Sequence, residues 1–298
     1  MAEAAPIITV VIPTYNRMDI VRRAIRSVLA QTYLDYEILL VDDGSTDPIH
    51  QLMDEFPQIR IVRHETNQGE GAARNTGVRE GRGKWVAYLD SDDEWLPEKL
   101  QRQMDYLSAH PELKGCGSGN INVFPDYSEE FRPIDQQNWY HHFAAGADLG
   151  AGATFIGLRE CMLEFEYDVN FPRLVDLDWL LRFTKKYPIG VVSEPLAIVY
   201  RSGSPKPELV EISNIRLVSR HGADWLKLGR FYGSQCIGKR WLEVAVHYYR
   251  AGDRAKGARY LWKAVMTNPI QRPGMYLRIL DSLLKTNIHG FFKKSLSS

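Results

Sequence analysis

The sequence predicts an α/β fold in which a doubly wound, Rossmann-like sheet is followed by a wholly helical C-terminal region. Three observations predict it. Short apolar, β-branched runs recur through the first part of the chain, helical patterns fill the gaps between them, and beyond residue 205 the apolar spacing is helical throughout.

Residues 7–13, IITVVIP, form a continuous apolar run of the kind buried on both faces of a parallel sheet. YEILLV (36–41), IRIV (59–62) and KWVAYL (84–89) repeat that style. Between the first two, NRMDIVRRAIRSVLAQ carries Ile20, Val21, Ala24, Ile25, Val28 and Leu29 at helical spacing, with Asn16 and Asp19 placed as a capping box. Weaker helical patterns at 47–56 and 70–81 separate the later strands, giving a β-α-β-α-β-α-β series. Residues 115–200 alternate short apolar runs with loops and include the Gly-rich GAGATFIG (150–157). Near the end, Trp241, Leu242, Ala245, Tyr248 and Tyr249, followed by AGDRAKGARYLWKAV, read as one tetratricopeptide-type helix pair. The expected divisions are 1–110, 111–205 and 206–298.

Composition excludes several classes. Of 298 residues, 37 are Lys or Arg and 37 are Asp or Glu, so no net positive field draws the chain to nucleic acid. Cys116, Cys161 and Cys236 are scattered, odd in number and without CxxC spacing, which argues against a disulfide framework or a zinc site and for a reducing cytoplasm. No apolar run approaches the roughly 20 residues needed to span a bilayer, and the N-terminal MAEAAPIITVVIP lacks the basic flank of a secretory signal. The tail pairs Phe291 and Phe292 with Lys293 and Lys294, a pattern for peripheral contact with an anionic membrane surface. The expected location is cytoplasmic, at the inner face of the membrane.

Open α/β sheets bind ligands beyond the carboxyl ends of their strands. Those ends read Pro13-Thr14-Tyr15-Asn16, Asp42-Asp43-Gly44-Ser45, Asn67-Gln68-Gly69 and Asp90-Ser91-Asp92-Asp93. Three carboxylates at the mouth of an apolar strand repel one another unless a cation neutralises them, and Mg²⁺ or Mn²⁺ shared with phosphate oxygens is the usual remedy. Asp43 can accept a hydrogen bond from a base or ribose, and Tyr15 offers a face on which a base stacks. NQGEGAARNTG opens a helix and brings Arg74, suited either to phosphate or to clamping the Asp cluster. Neither GxxxxGK[ST] nor a GxGxxG after the first strand is present, which argues against NTP hydrolysis and dinucleotide binding.

PTYNR, DDGSTD, NQGEGAARNTG and LDSDDEWLP, in that order, resemble the motifs of family 2 inverting glycosyltransferases, which have the GT-A fold of nucleotide-diphospho-sugar transferases, a mixed sheet flanked by helices. The resemblance implies a nucleotide-binding half at 1–110, an acceptor half at 111–205 and a helical extension. It implies that Pro13, Tyr15, Asp43, Arg74 and Asp92 hold the nucleotide, usually of a UDP-sugar. Asp93, with Asp90 and Asp92, would hold Mn²⁺ or Mg²⁺. Gly152, Ala153 and Thr154 would lie near a glycan or lipid-linked acceptor, as in surface-polysaccharide synthesis. In RLVDLDWLLRF, Asp176 takes the position of the catalytic base, although Val175 stands where the family usually has Glu, and Asp178 remains a second candidate. Two other readings stay open on the residues: a nucleotidyltransferase, and a sugar-nucleotide binder or scaffold without catalysis.

Overall fold

The computed structural model describes residues 5–201 and 203–268. The chain divides into two compact units. The first comprises Met1–Phe143, Ala147–Asn170 and Val175–Gly203; the second comprises Ala144–Gly146, Phe171–Leu174 and the chain from Ser204 onward.

In chain order the strands are β1 (Ile8–Thr14), β2 (Tyr36–Asp42), β3 (Ile59–Arg63), β4 (Trp85–Tyr88), β5 (Glu94–Trp95), β6 (Gly115–Val123), β7 (Ser128–Phe131), β8 (Ile156–Leu158) and β9 (Gly190–Tyr200). The helices are α1 (Met18–Leu29), α2 (Leu52–Glu55), α3 (Glu70–Glu80), α4 (Lys99–Ala109), α5 (Trp139–Ala144), α6 (Ala151–Thr154), α7 (Arg159–Met162), α8 (Val175–Lys186), α9 (Pro207–Lys227), α10 (Arg230–Arg250) and α11 (Arg254–Thr267).

All nine strands form one sheet, ordered β3-β2-β1-β4-β8-β6-β9-β5, with β7 added to β6. The β3-β2-β1-β4 half is parallel. Strand β8 then runs antiparallel to both β4 and β6, so the sheet is mixed. Every residue of β1 is buried, as its unbroken apolar run requires. Its one interior polar side chain, Thr9, is satisfied: the hydroxyl donates to Glu37 Oε1 at 2.8 Å and accepts from Gly83 N at 2.8 Å.

Helix α1 buries Val21, Ala24, Ile25 and Val28 against the sheet, while Ile20, at the stripe's margin, is exposed. The capping box does not form. Asn16 sits outside the helix in the left-handed region (φ 50°), and its Oδ1 accepts from Thr46 N at 2.7 Å. Asp47 serves the helix instead, accepting from Met18 N at 3.2 Å. The loops after β1 and β2 are thereby tied to each other. Helix α3 lies so close to β1 that a methyl group on Gly77 would strike the Val11 side chain.

The second unit is built from α9, α10 and α11. Trp241, Leu242, Val244, Ala245 and Tyr248 of α10 form its core with Tyr260 and Ala264 of α11 and Val210 of α9. Glu211 accepts from the hydroxyls of both Tyr248 and Tyr260, and Asp253 caps α11 by accepting from Lys256 N at 3.0 Å. Among the described residues no helix is long and apolar enough to cross a membrane. The aromatic and basic tail at 291–294 lies outside the described residues.

Candidate active site

Four strand-end loops meet in one cavity of about 370 Å³ in the first unit, lined in part by Pro13, Tyr15, Asp43, Asp90 and Asp92. The parallel register explains the meeting. Thr14 is paired with Asp42 and Val11 with Tyr88, so the residues after these strands emerge along one edge. Tyr15 is half-exposed at the rim, its ring open to a stacking partner.

Asp43 organises the neighbouring loop. Oδ1 accepts from Gln68 N at 2.9 Å and contacts His64 Nδ1 at 2.7 Å, while Oδ2 accepts from Gly69 N at 2.7 Å. The other nitrogen of His64 meets Thr76 Oγ1 at 2.9 Å, fixing the imidazole between the loop and α3. Gly44 has φ +75° and lies against the backbone of Thr66 and Asn67, where a Cβ would come within 2.6 Å. Only glycine suits that turn.

Behind the cavity Arg74 is completely buried. Its guanidinium bonds Asp176 through Nη1 and Asp90 through Nη2, the latter at 2.6 Å, and Nη2 also pairs with Glu70 one turn earlier on α3. The rings of Tyr88 and Tyr167 lie 5.7 and 5.4 Å from the guanidinium carbon. A buried cation is tolerable only with such company, and removing any one carboxylate leaves the others sharing its charge. Asn75 secures the chain carrying Tyr167: Nδ2 donates to Tyr167 O at 2.9 Å, and Oδ1 accepts from Tyr167 N at 2.7 Å. Helix α3 thus joins Asp90, at the end of β4, to Asp176, in the first turn of α8.

The carboxyl groups are perturbed accordingly. Burial pushes the Asp176 carboxyl above the ordinary carboxylate range; Arg74 opposes this, and the charges of Asp90 and Asp148 add to it. For Glu70 the strongest influence, Arg74, pulls downward, yet burial and the charges of Asp90, Asp176 and Asp92 together lift it to about 7. Asp93 is almost wholly buried, and burial, then Asp90, raise it to about 8 despite a 2.9 Å hydrogen bond from Tyr200 N. Asp92 is paired with Arg17 at 2.8 Å, and its carbonyl accepts from Arg23 Nη2 at 2.5 Å.

Among the described residues no three His, Cys, Asp or Glu side chains are grouped to hold a metal ion unaided. Mg²⁺ and Mn²⁺ sites that share substrate phosphates need only one or two carboxylates. Asp90 and Asp92 line the cavity, whereas Asp93 lies behind them, its carboxyl raised by burial first and then by the charge of Asp90.

The Gly-rich segment packs behind the carboxylates, and Gly152, Ala153 and Thr154 are not among the residues that line the cavity. A Cβ on Gly152 would collide with Asp90 and Arg74, so backbone approaches the carboxylate-guanidinium pair directly. Ala153 and Thr154 are buried; Ala153 O accepts from Trp95 Nε1 at 2.6 Å, and Thr154 O accepts from Gln103 Nε2 at 2.8 Å. Asp178 lies apart from this cluster. It is completely buried and held by Arg182 Nε at 2.9 Å, and Arg182 also donates to Glu166 O. Arg17, Glu70 and Ser91 line the cavity without having been singled out from sequence, although each lies inside or beside a quoted motif.

The mixed α/β sheet flanked by helices is a GT-A-like fold. Residues 9–147 match the family model described as Glycosyl transferase family 2. A putative teichuronic acid biosynthesis glycosyltransferase, TuaG of Bacillus subtilis, is 34% identical over 36% of this chain and 44% of its own length. The succinoglycan biosynthesis protein ExoO of Rhizobium meliloti is 38% identical over 36% of this chain and 31% of its own. An uncharacterized glycosyltransferase of Rickettsia felis is 42% identical over 34% of this chain, and the match spans only 17% of that relative. The chain therefore covers less than half the length of these relatives. In fold it is similar to residues 1–349 of TarS from S. aureus, with a TM-score of 0.60 and 17% identity over 85% of this chain and 90% of that one. The same protein in complex with UDP-GlcNAc gives a TM-score of 0.55.

Proposed function

We propose that this protein is an inverting glycosyltransferase that moves a sugar from a nucleotide-sugar, a UDP-sugar in particular, to a hydroxyl of a glycan or lipid-linked acceptor in surface-polysaccharide synthesis. The observation that carries this reading is Arg74, which holds Asp176 and Asp90 in one network behind the cavity lined by Tyr15, Asp43 and Asp92. The polysaccharide-related names of TuaG and ExoO support the acceptor class, and the UDP-GlcNAc complex of TarS supports the donor class.

In this reading the base stacks on Tyr15 and is hydrogen-bonded by Asp43, Asp92 meets the ribose, and Arg74, buried behind the cavity, acts as the clamp on Asp90 and Asp176 instead of touching the nucleotide. Asp176 accepts the proton of the acceptor hydroxyl as that oxygen forms a bond to the anomeric carbon. The bond from that carbon to the diphosphate breaks on the opposite face, and the configuration inverts. Asp93, with Asp90 or Asp92, would hold a divalent cation, Mn²⁺ or Mg²⁺, which would neutralise charge on the departing diphosphate. Gly152, Ala153 and Thr154 support the acceptor side from behind, Gly152 packing directly on Asp90 and Arg74. Both carboxylates are engaged by an arginine, and Asp176 is favoured over Asp178 because it is partly exposed and shares Arg74 with Asp90, whereas Asp178 is completely buried. Peripheral membrane contact through residues 291–294 belongs to the same proposal.

Titration calorimetry with UDP, with and without Mn²⁺, tests the donor half of the reading. The expected result is binding that strengthens with Mn²⁺ in the unmodified protein and loses that dependence in Asp93→Ala. Equal affinity with and without the metal would remove Asp93 from this role.

A further inference from the structure

The first unit contains a second cavity, of about 480 Å³, within the roughly 300–1,000 Å³ range typical of small-molecule sites. Gly190, the first residue of β9, lines it. The other end of β9, Tyr200, donates its backbone N–H to Asp93. Strands rise about 3.3 Å per residue, so the eleven residues of β9 put this cavity roughly 30 Å from the carboxylate cluster. It is no extension of the donor crevice.

Its walls combine flat rings with short polar side chains. Tyr106 and His110 stack with ring centroids 4.3 Å apart, and the Tyr106 hydroxyl is fixed by Asp135. Gln137 and Asn138, on an exposed loop, line the same cavity. Trp139 completes the wall. Charge narrows the choice of ligand. Glu112 and Asp135 contribute negative groups, while Lys186, the lining cation, is paired with Glu164.

From this combination we infer that the cavity is an ancillary binding site for a neutral saccharide unit, remote from the reaction centre. Ring faces pack against the apolar face of a pyranose, carboxamides and Asp135 meet its hydroxyls, and the acidic lining disfavours uronates and phosphates. The site would hold one part of a glycan while another part occupies the crevice, raising its effective concentration there. Binding at this site does not depend on the catalytic assignment, because no turnover is needed to observe it.

Saturation-transfer NMR on the full chain, with cellobiose, lactose and chitobiose as neutral probes and glucuronic acid as the charged one, tests the site. Two variants accompany the unmodified protein: Gln137→Trp, at an exposed position, fills the cavity, and Tyr106→Leu removes the stacking wall. Circular dichroism establishes that each is folded. The expected result is transfer to at least one neutral disaccharide, weakened roughly tenfold or more in both variants, a change equivalent to about 1.4 kcal/mol, and weaker transfer to glucuronic acid. Absence of transfer to every neutral probe, undiminished transfer in folded Gln137→Trp, or equal transfer to glucuronic acid would overturn the proposal.

Discussion

Arg74 lets three carboxylates stand together in a partly dry place, and it makes their chemistry interdependent. The raised proton affinity of Asp176 suits a base that must accept a proton near neutrality. Asp176→Asn keeps the shape and one acceptor for Arg74, so steady-state kinetics should show kcat reduced roughly 10²- to 10⁴-fold, with UDP affinity nearly unchanged by calorimetry. Because the Asp176 carboxyl is raised, the acid limb of the kcat profile should lie above the ordinary carboxylate range and vanish from the residual activity of Asp176→Asn. Asp93 carries a stability signature. Its folded-state carboxyl binds a proton up to about 8, whereas the unfolded one releases it near 4. The folded state therefore holds more protons between those values, and its stability falls as pH rises through that window. Differential scanning fluorimetry without divalent cations should give a lower Tm at pH 8 than at pH 6, and this difference should shrink in Asp93→Asn.

The β-α-β frame was legible because parallel strands buried on both faces announce themselves as apolar runs: IITVVIP, YEILLV, IRIV and KWVAYL correspond to β1 to β4 with small shifts at their ends. The capping box failed because Asn16 and Asp47 exchange roles between two loops that are distant in sequence, and local spacing cannot register that exchange. The later half was harder to read. Strand β5 has two residues and β8 has three, and the long β6 and β9 owe their pairing to contacts across about 75 positions of chain. The strand-end motifs identified the crevice, but Arg17 and Glu70 became visible only through their partners, Asp92 and Arg74. Glycines provide direct tests of this packing. Gly77→Ala should destabilise the protein by about 1–3 kcal/mol in denaturant melts, since α3 must lift away from Val11. Gly152→Ala should lower both the melting temperature and kcat, because the added methyl group forces apart the buried Arg74 and its partner Asp90.

Taken as a whole, the molecule has balanced charge, 37 basic against 37 acidic residues, so donor recognition must come from local geometry rather than a broad field. That geometry is concentrated in the first unit, where the family match lies. The second unit has its own aromatic core, with Glu211 bridging Tyr248 and Tyr260, and sequence spacing had already marked its α10–α11 pair. Its part-buried carboxylate-phenol arrangement has no counterpart in the sugar-transfer motifs and takes no part in the proposed chemistry. The central claim is transfer from a nucleotide-sugar at the Asp90-Asp92-Asp93 crevice with Asp176 as base. Nucleoside diphosphate release from UDP-, GDP- and dTDP-sugars in the presence of Mn²⁺, followed in the unmodified protein, Asp93→Ala and Asp176→Asn, tests it most directly. The account predicts slow release from a UDP-sugar that is lost in both variants; release that persists undiminished in Asp176→Asn, or no release from any of the three donor classes, would contradict it.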